Sequence, residues 1–354
     1  MGADRVTGSV EVVGLDDLAD GDIDEWHALR NANPKLDSPY FHPAFARAVH
    51  EAGAPVHVVV ERDDEGVRSL FPGHCLASQF KPVGWPGADF QAPITRLGIA
   101  VDPLRLLKAT GLRSLEFDHL LEVPGLEPWI ESRRDSPYVD LSGGLEGYVA
   151  RASRSGRDNM GQARRKARKA EKTHGPIEFV ADSTDAAVLD ELIALKRAQY
   201  AATGARDYFA ATERVALVQR LLETRVDGFA GILSTAHVGS RLLAAHFGIR
   251  SGSVLHWWFP VYDPEFAGFA PGWILLRELA AAAPALGVTR LDLGRGDDEY
   301  KRRAKTGETV VCQGFVTSSR PALAARRVRS ALVEVARSSS AVRRVQRAVR
   351  RRTH

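Results

Sequence analysis

The sequence is poor in sulfur: its 354 residues include two cysteines and two methionines. Two thiols far apart in the chain, Cys75 and Cys312, exclude both a disulfide framework and a cysteine-rich metal site. Each sits in an apolar, strand-like context and reads as a buried thiol in a reducing compartment. No apolar run approaches the roughly 18 residues that a membrane span needs. The nearest, Glu278 to Leu286, is short, alanine-rich and interrupted by Pro284. The first residues lack the basic start and apolar stretch of a secretory leader, so a cytoplasmic protein is expected. No short-period repeat is present. The two cysteines show no metal-ligand spacing, and no metal is expected.

What is present reads as globular. Hydrophobic residues make up 44% and charged residues 26% of the chain, a composition able to bury a core. The length suits two domains of roughly 100–200 residues each. The net charge of +4 conceals an uneven distribution. Residues 320–354 hold eleven Arg and one acid, Glu334, a net of +10 that leaves −6 for the rest. A second basic block, Arg151 to Lys172, has nine Lys or Arg against Asp158 and Glu171.

Apolar, β-branched runs alternate with amphipathic stretches, which predicts mixed α/β structure. Strands are expected at Val10–Leu15, His57–Glu61, Val67–Leu76, Leu115–Leu120, Ile177–Val180, Gly228–Ser234, Leu242–Ile249, Val254–Val261, Val288–Leu293 and Val310–Val316. Helices are expected at Ile23–Arg30, Pro43–Glu51, from Leu145 to the stop at Gly175-Pro176, Ala186–Ala202, Phe209–Glu223, Pro271–Ala283 and Asp297–Ala304. Lys81 to Pro93 reads as a loop. In the tail, Val328, Leu332, Val335, Val342, Val345 and Val349 share one helical face, which fits either an amphipathic helix on an anionic membrane surface or a poorly ordered terminus.

Three segments carry chemistry. Asp263 to Trp273 links a strand to a helix and holds Gly268, Ala270 and Gly272 beside Pro271. Such a turn can cradle an anion on free backbone N–H groups; it can equally be a plain turn. Leu291 to Lys301, reading LDLGRGDDEYK, packs Arg295, Asp297, Glu299, Tyr300 and Lys301 into seven residues after a strand. That is either a capped helix or a set able to orient a nucleophile, accept its proton and protonate a leaving group. His246 and His256 lie on adjacent expected strands beside Trp257 and Trp258. They are core histidines, or, if the strands flank a cleft, His256 is a spare base and Trp258 a wall for a ligand.

Four stretches together resemble the GNAT-fold acyltransferases associated with bacterial cellulose and exopolysaccharide synthesis (CelD-like), distant relatives of Fem-type transferases. They are Ser38-Pro-Tyr-Phe-His-Pro-Ala-Phe45 with Leu70-Phe-Pro72, Leu145 to Glu171 with Arg157-Asp-Asn159, Tyr262-Asp-Pro264 with Pro271-Gly272, and Asp292 to Lys301. The resemblance implies tandem GNAT-like domains with mixed sheets: residues 1–140, a basic connecting helix over 141–175, a better preserved domain over 176–320, and an Arg-rich tail over 321–354. It implies acyl transfer from acyl-CoA to an amino group of a sugar or small metabolite, in polysaccharide or envelope synthesis. Asp297 or Glu299 is then the base and Tyr300 the acid for the departing thiolate. Arg295, Lys301, Trp258 and Arg157 hold substrate, and Gly268, Ala270, Gly272 and Trp273 line the pyrophosphate turn. Two departures stand out. Phe266 to Gly272 has no Arg or Lys, and Arg302-Arg-Ala-Lys305 follows Tyr-Lys where the family favours an aromatic. Two other readings are carried forward: an aminoacyl-tRNA donor drawn by the basic segments, and a degenerate fold that only binds.

Overall fold

A computed structural model describes residues 8–326 and 328. In chain order, the first half contains β1 (Val10–Gly14), α1 (Asp20–Ala32), α2 (Pro43–Glu51), β2 (His57–Asp63), β3 (Gly66–Leu76), β4 (Gln79–Pro82), β5 (Ile94–Thr95), α3 (Pro103–Thr110), β6 (Ser114–Leu121) and β7 (Ile130–Asp140). Then come α4 (Gly144–Arg151), α5 (Arg154–His174), β8 (Ile177–Ser183), α6 (Ala186–Thr203), α7 (Thr212–Glu223), β9 (Arg225–Val226), β10 (Phe229–Val238), β11 (Arg241–Ser251) and β12 (Val254–Tyr262). The last elements are α8 (Pro271–Ala282), β13 (Arg290–Asp292), α9 (Glu299–Ala304) and β14 (Gly307–Thr317). The strands and helices read from periodicity are all present, most within a few residues of the expected ends. β4, β5, β7, β9 and α3 were not foreseen.

The strands form one mixed sheet in the order β1-β2-β3-β4-β6-β14-β7-β13-β12-β11-β10-β8. Hydrogen bonding runs unbroken across the boundary expected at residue 140. β14, late in the chain, pairs antiparallel with β6, and on its other edge with β7. β7 in turn pairs with β13. One apolar cluster joins both halves, with Trp26, Phe45 and Phe71 from the first and Leu189, Leu217 and Phe247 from the second. A second cluster packs α4, α5 and α8 against the later strands through Tyr148, Met160, Trp257, Ile274 and Leu279.

The basic helix follows from its own sequence. Ser153 caps α5 by accepting from the Gly156 backbone N–H at 3.1 Å. Gly156, Met160, Ala163 and Ala170 form a narrow buried stripe, and its cations face water. Among the described residues no helix is long and apolar enough to cross a membrane. Except for its first residues, the tail expected to form a basic helix lies outside the described residues.

Candidate active site where the two halves meet

β12 and β13 run parallel in register, Val254 against Arg290, Leu255 against Leu291 and His256 against Asp292. The pairing stops there for two reasons. β13 is three residues long and ends in a turn at Gly294, whose φ of 72° favours glycine. β12 itself carries a bulge. On β11 two steps separate Phe247 from Ile249, whereas their partners on β12, Phe259 and His256, are three steps apart. The extra residue puts Trp258 and Phe259 on one side of the strand, their rings stacked 4.8 Å apart. Opposite the bulge only glycine fits, because a Cβ on Gly248 would stand 1.9 Å from the His256 carbonyl oxygen. Past His256, β12 therefore continues to Tyr262 with one edge free of β13.

β12 leads through the short turn Pro264–Phe269 into α8. Its first residues have no side-chain cap, and Ala270 before it adopts the left-handed region at φ 53°, ψ 56°, a strained choice for a residue with a Cβ. Gly268 and Gly272 have ordinary φ, and a Cβ on either would meet nothing within 4 Å. Neither backbone conformation nor packing accounts for glycine there. Both leave the backbone open at the start of α8. Trp273, half-buried, completes the turn.

The polar centre lies where the register ends. His256 is 0% exposed, and its Nε2 donates to Asp89 Oδ2 at 3.0 Å. Asp89 comes from the proline- and glycine-rich loop between β4 and β5, and its side chain is 27% exposed. The loop is pinned by Trp258, whose indole N–H donates to the Gly87 carbonyl at 3.0 Å. Behind Asp89, on β6, His119 Nε2 lies 3.4 Å from Asp89 Oδ1, and His119 Nδ1 lies 2.9 Å from Asp118 Oδ1 in a close approach without hydrogen-bond alignment. Gln91 fixes that pair, donating to Asp118 Oδ1 at 2.8 Å and accepting from the backbone N–H groups of Asp118 and His119. Burial acts to raise the Asp89 carboxyl. The His256 hydrogen bond and the charges of His256, His119 and Lys301 outweigh it and hold the carboxyl at about 2.

The Gly294 turn brings Arg295, Tyr300 and Lys301 to the same place. Arg295 donates to the Asp118 carbonyl at 2.7 Å. Lys301, buried, donates to the carbonyls of Gly294 and Arg295 at 3.1 and 3.2 Å, and burial lowers its pKa against the pull of Asp89 and Asp298. Burial, with the negative charges of Asp298 and Asp89, pushes the Tyr300 hydroxyl far up, so it stays protonated. Asp292, 1% exposed, is neutralised by Arg290 at 3.0 Å, which also clasps Asp37 through two bonds of 2.6 and 2.7 Å. A cavity of about 350 Å³ adjoins this trio, walled by Lys35, Asp37, Ser38, Glu122, Arg290 and Thr309 among others. Lys196 of α6 reaches the open edge of β12, donating to the Pro260 carbonyl at 3.0 Å, and burial brings its ammonium down to about 8.

Of the residues singled out from sequence, the structure gathers His256, Arg295, Tyr300 and Lys301, with Trp258 two residues along the strand. Asp297 and Glu299 stay outside. Both are exposed, and Glu299 is tied to Arg303 one turn along α9. Helical geometry explains this: the face of α9 that carries Lys301 and Ala304 is buried, which turns Glu299 outward. Arg157 is exposed on α5 and donates to the Ala152 carbonyl at 2.7 Å. Sequence reasoning missed Asp89, Asp118, His119 and Lys196. The adjacent acid and imidazole at the end of an apolar strand, Asp118-His119, were the available signal.

Residues 157–302 match the family model of the acetyltransferase (GNAT) domain. This span runs from α5 into α9 and contains the bulged strand, the α8 turn and the Gly294 turn, so the second half has the GNAT fold. Two solved structures resemble the whole fold. One is FemX, 11% identical, covering 83% of this chain and 94% of that one, with a TM-score of 0.54. The other is a tandem GNAT protein from the clavulanic acid biosynthesis pathway, 13% identical, covering 88% and 99%, with a TM-score of 0.51. At such identities the likeness is one of fold: mixed α/β, two GNAT-like units in tandem. No curated protein matches the sequence.

Proposed function

We propose that the protein is an N-acyltransferase moving an acyl group from acyl-CoA to an amino group of a sugar or small metabolite. The observation that carries this reading is the bulge in β12. It frees an edge of the strand that leads into the uncapped start of α8 and that packs, through Trp257, in one cluster with the protonated Tyr300. A pantetheine arm has amides that can pair with such an edge, and the pyrophosphate suits the N-terminus of α8, where Gly268 and Gly272 leave the backbone open. Tyr300 supplies a proton to the departing thiolate. The cavity beside Arg290, where Lys35, Asp37, Ser38, Glu122 and Thr309 stand beside the apolar Phe90 and Leu121, suits a hydroxylated acceptor such as an amino sugar. This chemistry fits polysaccharide or envelope synthesis, and the Arg-rich tail gives the enzyme a means of peripheral contact with an anionic membrane. Thiol release from a panel of acyl-CoA esters with amino sugars tests the reading. Amine-dependent release is expected; its absence with every pair overturns it.

A second reading keeps the fold and exchanges the donor for an aminoacyl-tRNA, as in Fem-type transferases. The outward face of α5 favours it, with Arg164, Arg165, Arg168, Lys169 and Lys172 all exposed. RNA bound there would be held by counterion release, with affinity falling steeply as salt rises. Absent or salt-insensitive tRNA binding removes this alternative.

A further inference from the structure

We infer that Asp89 is the catalytic carboxylate on the acceptor side of the site, binding the acceptor's ammonium and passing its proton to solvent. The inference deepens the acyl-transfer reading and rests on it.

An alkylamine near neutral pH is an ammonium without a lone pair, so acyl transfer to it needs a proton acceptor at the nucleophile. The carboxylates near the Gly294 turn divide clearly. Asp297, Asp298 and Glu299 are exposed. Asp292 is sealed and spent on Arg290. Asp118 is held by Gln91. Asp89 is both anchored and open to solvent, where β12 and β13 part. The turn is shaped around it, since a Cβ on Gly294 would stand 2.3 Å from Asp89 Oδ2.

The groups that face Asp89 come from several elements: His256 on β12, His119 on β6, Lys301 and Tyr300 on α9, and Tyr40 and Tyr208 from short turns. The cationic and imidazole groups keep the carboxylate ionised, which suits it to bind an ammonium. So strong an acid cannot keep the proton it removes. It passes the proton on to water at its exposed edge.

The step balances. One N–H bond of the ammonium breaks, and its proton passes along Asp89 to water. The freed lone pair forms the N–C bond at the thioester carbonyl. The C–S bond breaks, and the thiolate leaves with the proton of Tyr300. The nitrogen of the new bond then loses its second proton, which restores Tyr300, so that amide, thiol and one proton are released.

The test uses the full chain, acetyl-CoA, the best amine acceptor of the panel, and the hydrazide analogue of that acceptor, which is already neutral at the assay pH. With Asp89→Asn, kcat/KM for the amine should fall by about 10²-fold or more, and for the hydrazide by less than about tenfold. The thermal shift induced by coenzyme A should be unchanged. Asp89→Glu, which keeps the charge but displaces it, should slow the amine by about tenfold and leave the hydrazide within about threefold; it decides the matter if Asp89→Asn does not fold. Equal losses with both acceptors, or amine activity within about threefold of wild type, overturn the inference while leaving acyl transfer standing. No thiol release by the wild type with any donor and acceptor overturns both.

Discussion

Asp89 and His256 are 167 residues apart in sequence, and their side chains meet at 3.0 Å. The contact joins a loop of the first half to the strand of the second half at which β13 departs. The β12 bulge and the α8 turn lie within the span that matches the acetyltransferase (GNAT) model, whereas Asp89 lies outside it. A second half cut free from the first would keep the bulge and the α8 turn and lose Asp89 and His119.

Gly294→Ala should be costly in two ways. The residue occupies the left-handed region at φ 72°, and the new methyl meets Asp89 Oδ2. A stability loss of about 1–2 kcal/mol is expected from backbone strain alone. Acyl transfer should fall further than stability explains, because Asp89 must move. Urea unfolding beside kcat/KM checks this; a variant as stable and active as wild type contradicts it.

Arg290→Leu should destabilise the fold by about 3 kcal/mol, because Asp292 is then a buried charge without its partner. Adding Asp292→Leu should recover part of that loss. If the double variant is no more stable than the single one in urea, the ion pair is not the source.

Stability should fall on mild acidification, and the sign follows from two buried imidazoles. Burial lowers His246 to about 3 from 6.5; burial, then the charges of Arg30 and His27, lowers His42 to about 3 as well. Between pH 6.5 and 3 the unfolded chain binds protons that these native histidines do not. Stability therefore drops as pH falls through that window, by about 1.4 kcal/mol per pH unit for each histidine. Asp89 adds its share later, since a carboxyl held at about 2 loses its stabilising effect only between about pH 4 and 2. His246→Gln should flatten the pH dependence between 6.5 and 5. An unchanged slope in urea titrations at several pH values sinks this account of His246.

Gly272→Glu should raise the KM for acyl-CoA about tenfold or more, with little effect on folding. It places a negative side chain in open space at the start of α8 and repels a pyrophosphate there. Isothermal titration with coenzyme A measures this; unchanged affinity moves the pyrophosphate elsewhere.

The fold was legible in the sequence wherever periodicity was clean. β10, β11 and β12 are near-continuous apolar runs, and α8 declares itself through Pro271. β7 was hidden because Arg133-Arg134-Asp135 and Pro137 look like loop residues, although the strand sits between β14 and β13. Pro137 is tolerated there as an acceptor, its carbonyl receiving the Leu293 N–H at 2.9 Å. For the site, LDLGRGDDEYK marked the turn at Gly294, and the structure leaves its carboxylates Asp297 and Glu299 exposed. The phase of α9 decides that Lys301 faces inward and Glu299 outward, and a helix of six residues is too short to show its phase in sequence. Asp89 and His119 could not be found from spacing, because their alignment with His256 depends on how the two halves share a sheet.

The most direct measurement is free-thiol release by the full-length protein, acyl-CoA by acyl-CoA, with and without amine acceptors, for wild type and Tyr300→Phe. Acyl transfer at the β12 bulge predicts thiol release that depends on the amine and drops about 10²-fold in Tyr300→Phe. Thiol release that ignores the amine, or none with any donor, contradicts it.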